Sequence, residues 1–565
     1  MRKLFLIAAC ISAAAAVAHK PIVKDLHVPI AMRDGARLSA NVFLPSGRGR
    51  FPTILVRTPY NKGLDITPYY EAFVNRGYAV VAQDVRGRYE SEGAFLPMTQ
   101  EVNDGDDTID WIANQPWSNG KVGMVGGSYV GIVQWKAALS GNPHLKAIFP
   151  VVSGYDDYRD RYYSTGGAMK LGNRLEWMSE NMRAPGYHPD FGKFVLHLPL
   201  RTGDVAALGW KSPLYASVIA HPAFDSFWRS ISTREHLDKV KTPVFSVGGW
   251  YDNFVQSDLE AFAALHKRSS VNRILIGPWP HNMSTPFQGV SFGGGSSAPV
   301  RDLQMEWFDQ WLMGKDSSLL STPPVRLFEM GANRWLDLHE WPPEGAARKA
   351  FYLESGGRAN SLSGDGGLNE KLPAGAADRY LFDPNTPVPT RGGAVCCNPR
   401  IFPWGPMDQR SVEGRKDVLV YTTRPLKRDL EAIGPVQVVL YVATSARDTD
   451  FTAKLVDVFP DGEARNLTDG ILRLRYRNSL EKPELAKPGE VYRITVDAGV
   501  TGNVFLKGHR IRVEISSSNF PRFDRNPNTG GKIADAVKLN KASQTVYHDS
   551  QRPSALVLTV MPGKA

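Results

Sequence analysis

Cysteine is scarce in this chain. There are three in 565 residues: Cys10 in an N-terminal apolar run, and the adjacent pair Cys396 and Cys397. Two neighbouring thiols are too few ligands for a metal centre, so they read as unpaired thiols in a loop or, in an oxidising compartment, as a vicinal disulfide. Long apolar runs are lacking too. After the N-terminus no stretch of about 18 uninterrupted apolar residues occurs, so no helix is expected to span a membrane and the mature chain should be soluble. Lysine and arginine outnumber acidic residues by 67 to 57, but they are scattered rather than gathered in a stripe, which argues against a nucleic-acid partner. There is no repeat of fixed period, nothing in the pattern calls for a cofactor, and oligomeric state leaves no mark.

What is present is an ordinary globular composition, 42% hydrophobic and 22% charged, over a length that suggests about two to four domains. The first residues have the layout of a cleaved export signal. Arg2 and Lys3 precede an apolar run from Leu4 to Val17, and Ala16-Val17-Ala18 forms a small-residue site before His19. Residues 1–18 are therefore expected to be removed, giving a secreted or periplasmic chain. Losing Arg2 and Lys3 takes the formal charge from +10 to +8. A rival reading, a lipoprotein box at Ile7-Ala8-Ala9-Cys10, has very little apolar chain ahead of it.

Apolar β-branched runs at Pro52 to Val56, Tyr78 to Ala82 and Val122 to Val125 alternate with helical patterns. They predict a parallel sheet covered on both faces. The pattern lapses over residues 156–235, rich in Tyr, Arg, Trp and Met, and resumes at Val244 to Val247 and Arg273 to Ile276. A helical cap inserted over the sheet is expected there. From residue 346 onward the runs Val418 to Tyr421, Val436 to Tyr441, Tyr492 to Val496 and Ile511 to Ile515 alternate strictly. They predict a C-terminal β-sandwich over 346–565. The sheet domain is thus assigned to 19–155 and 236–345, and a Gly/Ser-rich stretch at 355–375 reads as a solvated loop.

The strongest local signal is Gly126-Gly127-Ser128-Tyr129-Val130-Gly131, between the strand ending at Val125 and the helical run Ile132 to Leu139. A serine on such a tight strand-to-helix turn is placed as a nucleophile, although the usual G-x-S-x-G has its second glycine where Val130 stands. Taken alone the turn could equally be structural. Asp252 and His281 each follow an apolar strand, where catalytic loops of open α/β sheets cluster, and the order Ser, Asp, His is that of α/β-hydrolases. Their bland alternatives are a turn-capping carboxylate and a loop histidine. In a triad His281 would take the proton of Ser128 and Asp252 would fix the imidazole tautomer. The oxyanion would be received by the backbone N–H of Tyr129 and by Tyr60, which ends the strand-and-turn segment Ile54 to Tyr60 and by position alone could equally be a packing aromatic. Asp104, Asp106, Asp107 and Asp110 invite a calcium reading, but they lack the EF-hand spacing and read better as first-turn carboxylates of a helix, so no metal is expected.

With these motifs in view, the chain resembles the α/β-hydrolase family of cocaine esterases, glutaryl-cephalosporanate acylases, α-amino-acid ester hydrolases and Xaa-Pro dipeptidyl-peptidases. The resemblance is carried by Arg57-Thr58-Pro59-Tyr60, Asp84-Val85-Arg86-Gly87-Arg88 with Ser91 and Gly93, Gly126 to Gly131, Gly249-Trp250-Tyr251-Asp252, Gly277 to His281 and Asp448 to Leu455. It implies the later elbow glycine, a tyrosine hydroxyl donor at Tyr60, a helical cap and a C-terminal jelly roll. The ester hydrolases hold a substrate ammonium with carboxylates two and three residues after the triad aspartate, where this chain has Phe254 and Val255. Phe254 is accordingly expected to line an acyl pocket for neutral apolar or aromatic groups, with Asp156, Asp157 or Asp160 as remaining sources of charge. The reading is a serine hydrolase acting on a small ester or amide substrate. Its alternatives are an acylase or dipeptidyl-peptidase-like amidase and, in another class, a surface- or carbohydrate-binding protein with a relic hydrolase domain.

Overall fold

The computed structural model describes residues 21–562 apart from 286, 288 and 376; the expected signal peptide, residues 1–18, lies outside them. Ten strands form one sheet: β1 (Val23–Ala31), β2 (Arg37–Leu44), β3 (Phe51–Thr58), β4 (Ala79–Asp84), β5 (Ser118–Gly127), β6 (Leu145–Val151), β7 (Phe245–Tyr251), β8 (Arg273–Pro280), β9 (Val325–Glu329) and β10 (Arg334–Leu338). Their order is β1-β2-β4-β3-β5-β6-β7-β8-β9-β10. Strands β3 to β9 run parallel, and the antiparallel pairs sit at the edges. Every residue of β4, β7 and β8 is buried, as strands covered on both faces require; this explains why they read as continuous apolar runs. The loops after β3, β5, β7 and β8 leave the same edge of the sheet and carry Tyr60, Ser128, Asp252 and His281.

Between β6 and β7 the chain leaves the sheet. Residues 152–243 contain the helices Leu171–Met182, Pro213–Ala220 and Ser226–Ile231 and, among the described residues, no strand beyond a single bridge between Tyr163 and Met169. Buried ion pairs tie this cap to the sheet domain. Lys136, on the helix Tyr129–Ala138, reaches Asp157 at 2.6 Å, and Asp157 also holds Arg161 at 2.5 Å.

The strands from Ala347 to Val560 form a C-terminal β domain that is antiparallel except where Gly367–Asn369 meets Leu419–Thr422. Gly367–Asn369 lies inside the stretch expected as loop: it pairs with Ala347–Glu354, a correction that strict alternation could not reveal in three residues. Trp250 and Tyr251 of β7 pack in the apolar cluster that also holds Leu440 and Phe505 of this domain. The Trp250 indole donates to the Phe328 carbonyl of β9 at 2.6 Å, and the Tyr251 hydroxyl donates to the Asn466 carbonyl of the β domain at 3.2 Å. The strand end that presents Asp252 is thus pinned from behind by the β domain.

Candidate active site

β5 ends at Gly127, and Ser128 follows with φ 57° and ψ −127°, a backbone position rare for a residue with a Cβ. Two glycines make the turn sterically feasible. A Cβ on Gly126, itself at φ +136°, would lie 2.2 Å from Val130 Cγ1. One on Gly131 would lie 2.6 Å from the Ser153 Cβ. Val130 therefore fills the space that Gly126 vacates, and the later glycine is needed for contact with the cap entry. This accounts for the departure from G-x-S-x-G. The helix Tyr129–Ala138 starts at once: the Gly131 and Ile132 N–H groups donate to the Ser128 carbonyl at 2.9 and 3.0 Å, and Tyr129 follows the serine directly as the first residue of the helix.

Asp252 is fully buried. Its Oδ1 accepts the Phe254 N–H at 3.0 Å, and its Oδ2 lies 2.6 Å from His281 Nδ1. His281 Nε2 lies 3.0 Å from Ser128 Oγ. A carboxylate on Nδ1 selects the tautomer with hydrogen on that nitrogen and leaves the Nε2 lone pair facing the serine hydroxyl. Three residues from three separate loops are brought into one hydrogen-bonded line.

Tyr60 sits on a loop held at both ends: Arg88 Nε donates to the Pro59 carbonyl at 2.9 Å, and the Lys62 N–H donates to Asp84 at 2.7 Å. The motif Asp84 to Arg88 therefore works as a clamp on the Tyr60 loop. Tyr129 is buried, and its hydroxyl donates to Glu101 at 2.7 Å. Burial, reinforced by that carboxylate, pushes the phenol well above its ordinary value. Trp177, from the cap helix Leu171–Met182, stacks on Tyr129 and donates its indole N–H to Tyr60 Oη at 3.1 Å. Neither Trp177 nor Glu101 stands out in the sequence, because contacts between distant elements have no periodicity; only the aromatic richness of the cap hinted at Trp177.

Residues 34–283 match the X-Pro dipeptidyl-peptidase (S15 family) profile, and residues 319–557 that of the X-Pro dipeptidyl-peptidase C-terminal non-catalytic domain. Cocaine esterase from Rhodococcus sp. (strain MB1 Bresler) is 40% identical over 567 residues, covering 95% of this chain and 98% of the relative. The chain belongs to the S15 family of serine hydrolases. A putative Xaa-Pro dipeptidyl-peptidase of Bacillus anthracis is 24% identical over 90% of the S15 chain and 85% of its own. The solved α-amino acid ester hydrolase superposes with a TM-score of 0.84 at 29% identity, over 99% of this chain and 98% of that one. The S15 chain is thus an enzyme of the hydrolase class with an α/β-hydrolase domain and a C-terminal β domain.

Other sequence expectations resolve in this S15 structure as ion pairs. Of the acidic group, only Asp104 lies in the first turn of its helix, Glu101–Ala113, and Asp106, Asp107 and Asp110 lie beyond it. Asp104 pairs with Arg86, and Asp106 and Asp107 pair with Arg33. Asp110 accepts from Asn142. Cys396 and Cys397 are joined as a disulfide, and the Cys397 N–H donates to Glu176 of the cap helix at 3.1 Å.

The cap acids are all engaged. Asp156 holds Arg159 at 2.7 Å, and Asp157 holds Lys136 and Arg161. Asp160 accepts Ser257 Oγ at 2.5 Å and the N–H groups of Tyr155 and Asp156 at 3.0 and 2.7 Å. Phe254 is 3% exposed, with its ring 5.8 Å from that of His281. Burial pushes Asp160 up to about 7; the Asp156 carboxylate adds to this and the Lys170 ammonium opposes it. Between the ordinary aspartate value and about 7 the folded chain therefore keeps a proton that the unfolded chain has lost. The stability linked to that proton falls as pH rises through this interval and is gone above it. Asp160→Asn, which is neutral at every pH, should show a smaller drop in Tm between about pH 5 and pH 8 than the parent. Equal drops in scanning calorimetry would remove Asp160 from the titrating set.

Proposed function

We infer that this chain is a secreted serine esterase that cleaves through an acyl-enzyme on Ser128. The observation that carries the reading is the line from Asp252 through His281 to Ser128, at 2.6 and 3.0 Å, on the ends of β7, β8 and β5 of a serine-hydrolase fold. His281 Nε2 removes the serine proton as Oγ attacks the acyl carbon. The imidazolium then protonates the leaving group, and Asp252 stabilises it. The Tyr129 N–H and the Tyr60 hydroxyl receive the oxyanion. Water, deprotonated by the same imidazole, releases the acid.

The acyl group is read as neutral. Phe254 and Val255 stand where an ammonium-binding enzyme of this family would carry carboxylates. Asp156, Asp157 and Asp160 are buried and already committed to Arg159, Lys136, Arg161 and Ser257. An ammonium left without a partner costs several kcal/mol, whereas apolar surface gains about 25 cal/mol per Å² buried. The name of the cocaine-esterase relative agrees with an ester of an aromatic acid. The family description and the dipeptidyl-peptidase relative favour an amino-terminal substrate instead, and the acyl comparison below separates the two.

Ser128→Ala should fold normally and lose turnover by about six orders of magnitude; activity within tenfold of the parent would remove Ser128 as nucleophile. On one leaving group, an acyl chain without an α-ammonium should have the higher kcat/KM of a matched pair near neutral pH. A higher value for the ammonium-bearing member would replace the neutral reading with an amino-ester or dipeptidyl one. Export follows from residues 1–18, and mass spectrometry of secreted protein should give a chain beginning at His19. A secreted chain retaining Met1, or one acylated at Cys10, would refute it.

A further inference from the structure

Tyr60 and Trp177 are 117 residues apart, one on a strand-end loop of the sheet domain and the other on the cap helix. An indole nitrogen can only donate, whereas a phenolic oxygen both donates and accepts. The 3.1 Å contact between Trp177 Nε1 and Tyr60 Oη therefore has one direction: the indole gives its hydrogen and the phenol receives it. The proton of Tyr60 is left for another acceptor.

The indole is itself fixed from below. Its plane lies 3° from that of Tyr129, with ring centroids 6.1 Å apart. The Tyr129 hydroxyl donates to Glu101 Oε1 and accepts the Met98 N–H at 3.3 Å. Glu101 Oε2 accepts from Arg57 Nη1 at 2.8 Å. Arg57 belongs to β3, the strand that leads into the Tyr60 loop. The path from β3 through Arg57, Glu101, Tyr129 and Trp177 to Tyr60 thus closes on itself. Its inner members Arg57, Glu101, Tyr129 and Trp177 are all buried.

We propose that Trp177 is the positioning residue of the Tyr60 hydroxyl: from the cap, its N–H fills an acceptor position on that oxygen and so aims the remaining O–H at the oxyanion. The proposal rests on the reading of Ser128 as nucleophile and Tyr60 as oxyanion donor, and it names what the cap adds to that chemistry. A hydroxyl that accepts one hydrogen bond becomes a better donor in the next. A rotor fixed before reaction needs no reorganisation as charge develops on the carbonyl oxygen. The ground-state carbonyl gains less than the oxyanion from such a donor, so the effect belongs to kcat rather than KM.

Two replacements remove the N–H. Trp177→Phe keeps an aromatic ring over Tyr129, and β-(3-benzothienyl)alanine at position 177 keeps the indole shape with sulfur in place of N–H. For one p-nitrophenyl ester each should lower kcat by about 10- to 100-fold with KM changed less than about twofold, a fraction of what deleting a whole oxyanion donor costs. In a Tyr60→Phe background the same replacements should cost less than about twofold more, because their route through Tyr60 is already cut. A packing role would instead add its loss to that of Tyr60→Phe and shift KM. A benzothienyl protein with the kcat of the parent, or full additivity in the double variant, overturns the proposal; the benzothienyl protein decides if Trp177→Phe does not fold. Turnover retained by Ser128→Ala would mean that the functional reading has failed. An inactive Ser128→Ala beside a fully active benzothienyl protein would mean that the positioning role alone has failed.

Discussion

Ser128 stands at φ 57°, and the surrounding structure is arranged so that a residue with a side chain can be kept there. Such a conformation costs on the order of 1–3 kcal/mol and persists only where its surroundings over-determine it. Here β5 fixes the approach, the Ser128 N–H is tied to the Val151 carbonyl at 2.9 Å, and the helix begins with the next residue. Gly126 and Gly131 remove the two side chains that would collide with Val130 and Ser153. The strain leaves Oγ facing His281 Nε2 at 3.0 Å, on the residue that caps the helix.

The polar groups that hold this arrangement are nearly all buried, and each joins elements far apart in sequence. Lys136 to Asp157 links the elbow helix to the cap. Arg473 meets Asp450 and Asp524 within the β domain, while Asp524 also accepts the Met169 N–H of the cap at 2.8 Å. Removing one partner of such a pair strands a buried charge, which costs far more than the intact pair contributes. These pairs therefore specify how the three parts dock more than they add to net stability. Through Trp250 and Tyr251 the β domain also packs on the strand end before Asp252, and so bears on the geometry of the line from Asp252 to Ser128.

The central strands β3, β4, β5, β7 and β8, and the three residues that fold into one hydrogen-bonded line, could be read from sequence for a physical reason. Buried parallel strands are continuous apolar runs, and chemistry follows at the residue where each run stops, as at Tyr251-Asp252 and Pro280-His281. The edge strands β1 and β10, and β2 next to β1, carry no such run and left no comparable signal. Charge was visible in the cap, but partners were not: Asp156, Asp157 and Asp160 look like free carboxylates until folding supplies Arg159, Lys136, Arg161 and Ser257. For the Val130 departure the resemblance supplied a precedent but no cause, because the cause is what a Cβ at Gly126 would strike.

The division of labour between sheet and cap follows from what each can hold still. Strand-end loops are anchored within a residue or two of a buried hydrogen-bonded ladder, which suits groups that must meet within tenths of an ångström, such as Ser128, His281 and Asp252. The cap has no ladder beneath it. It enters the site through large aromatic side chains whose planes are set by stacking and whose single polar atoms have one partner each, as Trp177 has in Tyr60. A wall built this way tolerates changes in the surrounding cap residues so long as the stack and the one hydrogen bond remain. Substitutions in the cap can then accumulate without disturbing the line from Asp252 to Ser128, whose members all stand on strand-end loops of the sheet.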